Sequence, residues 1–209
     1  ENMWERIFEA FSAPAKTLRQ AAEKGLWKEG LFIVAVVAIL NGLSEMVTPG
    51  YLEALQYLEE SFDFPITGTT LTSPGFELFS SLFGGLLGWL VVGAVFFFVA
   101  KIFKGQGSFV GMLASLGYAN CPYLIGAPLA AITSVAGSFG AILSGVIGFA
   151  VGIWVLVLNI IAIRESQQIS TGAAAATYFI PIILFILLLV LLGVLIAITI
   201  FTTTPLMYP

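Results

Sequence analysis

The sequence predicts an all-α, polytopic integral membrane protein. It has five transmembrane helices, an amphipathic N-terminal helix and an interfacial half-helix ahead of the third span. Three observations lead there. First, 59% of the 209 residues are hydrophobic and only 10% charged, and the mean hydropathy is +1.03. A soluble domain carries roughly 25% charged residues, so this chain lacks the polar groups to cover a water-facing surface. Second, apolar stretches recur that are long enough to cross a bilayer core of about 30 Å, which takes about 20 residues each. Third, all eight Lys and Arg residues fall within 6–28, 101–104 or at 164. Five alternating spans bring these places to one side.

Residues 1–26 form the amphipathic interfacial segment. Trp4, Ile7, Phe8, Phe11, Leu18 and Ala22 recur near helical spacing, with Glu, Lys and Arg between them. That is the pattern of one helix, or of two broken at Pro14, lying on the membrane surface. Residues 27–209 form the membrane domain, with spans at about 27–47, 78–103, 108–136, 139–163 and 178–201. Span one carries Asn41, Ser44 and Glu45 in its last turns and ends at Pro49-Gly50. The loop 48–77 holds five acids and no base, and Tyr51, Leu52, Leu55, Leu58 and Phe62 are spaced for one short surface helix. Span two contains Gly84 and Gly88, a small-xxx-small pair that lets helices approach closely. It closes on Lys101 and Lys104, whose long side chains snorkel to the interface.

Gly105 and Gly107 then turn the chain, and Ser108 offers a helix cap. Pro122 and Pro128 interrupt span three. They separate a shallow half-helix, 108–119, from a main crossing after Pro122. Span four carries Gly140, Ser144, Gly148 and Gly152 at steps of four. This ladder suits packing of spans two and four within one chain, or of two chains in a homo-oligomer. A polar connection, 164–177, leads to span five and an uncharged tail.

Basic residues collect on the cytoplasmic side of membrane proteins. The N-terminus is therefore expected inside, with the loop 48–77 and the C-terminus outside, at the plasma membrane if the cell is prokaryotic. The net charge of −4 and a pI near 4.7 argue against nucleic acid. Cys121 is the single cysteine, so no intrachain disulfide forms and no cluster of soft metal ligands exists. There is no histidine for Ser-His chemistry, and Asp63 is the one aspartate, so a di-aspartyl site is excluded. No Gly-rich phosphate loop of the G-x-x-x-x-G-K-[ST] type occurs. The expectation is a protein that is not an enzyme and holds neither cofactor nor metal.

Several short motifs follow one another in a fixed order. Lys104-Gly105-Gln106-Gly107 precedes the half-helix, and Gly117-Tyr118 stands four residues before Pro122. Ile163-Arg164-Glu165 closes span four, and Ile169-Ser170 leads into an Ala-rich helix start. With the amphipathic segment and five spans, this order resembles the Ypt/Rab-GTPase-interacting membrane proteins, the YIP domain family, over nearly the whole chain. Eukaryotic members are five-span proteins of the endoplasmic reticulum and Golgi that bind small GTPases and serve vesicle traffic and membrane shaping. They carry a long cytosolic N-terminal region, whereas residues 1–26 alone precede span one here. The compact form is similar to bacterial and archaeal members, whose activity is unassigned.

The resemblance implies a scaffold or adaptor with the bilayer and a protein partner as its ligands. The expected working surface is the cytoplasmic face: Lys101, Lys104, Gly105, Gly107, Phe109, Gly117, Tyr118, Pro122 and Arg164, with the half-helix wedged into one leaflet. The alternative is a small-solute or lipid transporter or channel, or an accessory subunit of one. Its path would run past the polar intramembrane residues Asn41, Glu45, Asn120 and Asn159. The competing role of these four is hydrogen bonding between helices.

Overall fold

The computed structural model describes residues 2–47, 56–57, 59–61 and 73–203. Most of the surface helix expected around Tyr51–Phe62, and the tail 204–209, lie outside the described residues. Among the described residues all regular structure is helical. In chain order the helices are α1 (Met3–Ser12), α2 (Pro14–Glu23), α3 (Trp27–Val47), α4 (Pro74–Ile102), α5 (Phe109–Ala119), α6 (Tyr123–Ser134), α7 (Gly137–Gln167) and α8 (Thr171–Thr203).

Local chemistry sets the boundaries. Asn2 and Glu5 form a reciprocal capping box at 2.9 Å each way, which starts α1. Pro14 lacks an N–H, so the helix ends at Ala13 and restarts as α2 with Pro at its first position. Gly25 takes φ +60° to turn the chain into α3. Ser73 and Ser108 cap α4 and α5 by accepting from Phe76 N–H at 3.3 Å and Gly111 N–H at 3.0 Å.

The N-terminal pair packs on the bundle as well as facing outward. Ile7, Ala10, Leu18 and Ala21 are buried, while Trp4 is 59% and Phe8 71% exposed. The predicted apolar stripe therefore divides between a protein-facing side and an outer side. Helix α5 sits at the centre. Its residues 111–119 are buried without a break, against α2, α3, α4 and α7. The expected wedge in one leaflet is corrected for 111–119, which have no face left for lipid; Val110, in the first turn, is exposed. Close approach makes the enclosure possible. A Cβ on Gly117 would stand 2.3 Å from the Gly30 Cα, and one on Gly93 would stand 2.5 Å from a Leu113 methyl.

Four helices are long and apolar enough to cross a membrane: Trp27–Met46, Pro74–Ile102, Gly137–Gln167 and Thr171–Ile196. The predicted third span is not one helix. The chain breaks at 120–122, so α5 and α6 have 11 and 12 residues. At 1.5 Å per residue each reaches only roughly 17–18 Å. Pro128 sits inside α6 without ending it. The broken pair runs antiparallel to α7 along its length. Gly107 meets Ser166, Gly126 meets Val151 and Thr133 meets Gly140.

The small-residue ladder does not draw α4 and α7 together. Nothing lies within 4 Å of a Cβ placed on Gly84, Gly88, Gly148 or Gly152, and Gly140 packs on Thr133 and Ala136 close by. Gly85 makes the approach instead, facing Ala38 of α3. Only the first turns of α8 pack: Ala174 and Thr177 are buried, and Tyr178 lies 5.3 Å from Phe96. Its residues 182–196 are exposed throughout.

Candidate functional site

The turn between α4 and α5 carries three of the residues singled out in the sequence, Lys104, Gly105 and Gly107, with Lys101 and Phe109 on the helices that flank it. Lys104 is left-handed, with φ 62°, and Gly105 N–H returns to the Ala100 carbonyl at 2.9 Å, closing α4. The Lys101 Nζ donates to the Gly105 and Gly107 carbonyls, both at 2.9 Å. It also lies 4.7 Å from the Phe97 ring centre, against which Phe109 packs edge-on at 5.6 Å. Gln106 N–H donates to the Gln167 carbonyl at 2.9 Å. A Cβ on Gly107 would stand 1.7 Å from the Ser166 carbonyl oxygen. The Lys-Gly-Gln-Gly run thus seats the turn on the α7 terminus, and Lys101 is a clamp within it.

A second group ties α2 to α7. Glu165 is buried and accepts from Arg19 Nε at 2.6 Å and Arg164 Nε at 2.9 Å. Arg164 Nη1 also donates to Thr171 Oγ1 at 3.3 Å, at the start of α8. Beside this bridge opens a groove of about 760 Å³, lined by Arg19, Glu23, Arg164, Glu165 and residues 168–171.

A third group fixes α1. Tyr118 is fully buried; its hydroxyl donates to the Glu29 carboxylate and accepts from Arg6 Nε at 3.1 Å. Arg6 Nη2 donates to both Glu29 oxygens at 2.5 and 2.7 Å. The Glu29 hydrogen bond pushes the Arg6 guanidinium above its ordinary range, so it stays charged. A buried ion pair repays its desolvation only when its remaining hydrogen bonds are satisfied, and Tyr118 supplies that contact from α5.

Of the other predicted residues, Gly117 lies on Gly30, Pro122 is buried and Cys121 is fully buried. Asn41, Asn120 and Asn159 come together around one cavity of about 260 Å³. Asn41 and Glu45 line a second, of about 220 Å³. Sequence reasoning missed Glu29 and Gln167, and placed Arg6 at a surface rather than in a buried ion pair; Arg19 is exposed as expected and reaches in to the buried Glu165. A signal existed for Arg6: the inward face of α1 runs Met3, Arg6, Ile7, Ala10, and a helical count that admits charged residues includes it.

Long apolar helices closed at one end by buried ion pairs define a multi-pass helical membrane protein. The chain belongs to the Yip1 domain family, whose model matches residues 8–194. A relative, an uncharacterized protein of Methanocaldococcus jannaschii, is 25% identical over 122 residues, covering 58% of this chain and 82% of that protein. No solved structure matches.

Proposed function

We propose that this protein is a non-enzymatic membrane scaffold that binds partner proteins or organises lipid through its basic end. In this reading the membrane domain crosses five times, the fifth crossing being the broken α5–α6 pair, with the basic end cytoplasmic and the C-terminus outside. The observation that carries it is the welded basic end. Glu165 holds Arg19 and Arg164 in fixed positions beside an open groove, while Lys24, Lys28 and Lys104 stay exposed. A rigid face rich in cations suits an acidic protein segment or anionic headgroups. Among the described residues no group at this end is arranged as a nucleophile beside a base, which favours binding over chemistry.

The test is affinity capture from native membranes in mild detergent, read by mass spectrometry. Wild type is compared with Lys24→Glu/Lys104→Glu, which leaves the Lys101 clamp and the Glu165 bridge intact. A stoichiometric partner lost in the double variant supports the scaffold. Identical recovery from both proteins removes the basic end as the working surface.

A further inference from the structure

The sequence singled out four polar residues inside the spans, and the fold gathers them around two adjoining cavities. The inner one lies between α3, α4, α7 and the α5–α6 break, with Asn41, Asn120, Asn159, Trp89 and Tyr123 in its wall. The outer one lies between α3, α6 and α7, with Ser44, Glu45, Ser144 and again Asn41 and Tyr123. Asn41 and Tyr123 line both, so the two cavities adjoin, with Glu45 in the outer one and Asn159 of α7 in the inner one.

The wall's chemistry is selective. Neither lining contains Lys or Arg, so an anion would enter without a counter-charge, at a high desolvation cost. Glu45 is the one acid in the outer lining, and that lining holds no base to neutralise it. Trp89 and Tyr123 offer aromatic surfaces, and such faces attract ammonium groups. Among the described residues no hydrogen bond engages the Asn41 or Asn159 carboxamide. Asn120 uses its amide alone, toward the Leu116 carbonyl at 2.8 Å. Carboxamide oxygens thus remain for an incoming N–H or O–H. Groups of this polarity inside a membrane are costly unless they meet a partner. The cavities are far larger than a bare ion needs and match a small organic molecule.

We propose that the paired cavities bind a small organic ammonium that carries a hydrogen-bonding arm, of the amino-alcohol class. The ammonium is drawn in by Glu45, and Asn41, Asn120 and Asn159 hold its polar groups. This proposal stands apart from the cytoplasmic scaffold, and its failure would leave that reading untouched. The amino-alcohol arrives either as a free solute or as the headgroup of a lipid.

The test uses the full chain in phosphatidylglycerol nanodiscs and equilibrium dialysis of labelled ethanolamine. Ethylene glycol and glycolate serve as the neutral and anionic counterparts of similar size. Saturable binding of ethanolamine that neither counterpart displaces is expected. Asn159→Leu and Glu45→Gln should each weaken it roughly tenfold or more, as loss of a hydrogen bond to a charged group does. Gly88→Leu fills open space in the inner cavity and should abolish binding in a protein that still elutes as one monodisperse species. Phosphatidylethanolamine in the nanodisc that displaces the label identifies a lipid source, and failure to displace it identifies a free solute. No saturable binding, displacement by ethylene glycol or glycolate, or unchanged affinity in Gly88→Leu overturns the proposal.

Discussion

Single residues here matter according to what stands behind them. Gly107 and Gly148 are both glycines of a membrane protein, yet a Cβ on the first would meet the Ser166 carbonyl at 1.7 Å and on the second would meet nothing. Gly107→Ala should therefore cost on the order of 2–3 kcal/mol, the range of overpacking with a backbone shift. Gly148→Ala should fall within about 0.5 kcal/mol of wild type or stabilise slightly, since Ala is the better helix former. Thermal unfolding in detergent compares the two, and equal melting temperatures would refute the contact. The Arg6–Glu29–Tyr118 group predicts an ordered series. Tyr118→Phe removes one hydroxyl and should cost about 1–3 kcal/mol. Glu29→Ala strands a buried guanidinium and should cost about 3–5 kcal/mol. If Tyr118→Phe proves the more damaging, the ion pair is not the principal link.

At the scale of elements, the helices divide into packed and lipid-facing ones. Leu18 of α2 is fully buried and its carbonyl accepts from Ser115 Oγ of α5 at 3.0 Å. Leu18→Ala should cost about 2–5 kcal/mol. Leu188, in the exposed part of α8, touches hydrocarbon in either state, so Leu188→Ala should stay within about 0.5 kcal/mol. Reversible unfolding in mixed micelles checks both, and a large loss at Leu188 would mean that α8 has a protein partner. The break between α5 and α6 was legible, because Pro122 cannot donate a backbone hydrogen bond. The depth of α5 was not. Its apolar run reads equally as an interfacial helix or a core helix, and only the residues packed around it decide. The small-residue ladder was ambiguous for the same reason: within this one chain it does not join α4 to α7, and its other reading concerns a second chain. Period-four glycines state that a close approach is possible, not that a neighbour arrives.

For the whole molecule, the five-crossing reading makes a topological prediction. With Cys121 replaced, a cysteine at Ser138, exposed in the first turn of α7, should label from outside intact cells. A cysteine at Gln168, exposed at the basic end, should label only after permeabilisation. Gln167 beside it is fully buried and would report nothing. External labelling of Gln168 would overturn the orientation. The sequence by itself determined that this is a helical membrane protein, where prolines and caps interrupt it, and that its cations fall in three short stretches. Those properties follow from composition, caps, prolines and charge, all of which act locally or sum along the chain. It placed the start of the last helix at 178 where the fold has Thr171, and read 164–177 as a connection although α7 runs on to Gln167. Only the tertiary structure decided that Arg6 meets Glu29 and Tyr118, that Glu165 joins Arg19 to Arg164, and that three asparagines share one cavity. Arg6 and Tyr118 are 112 positions apart and Arg19 and Glu165 are 146 apart. No local pattern encodes such meetings, because they result from how whole helices pack.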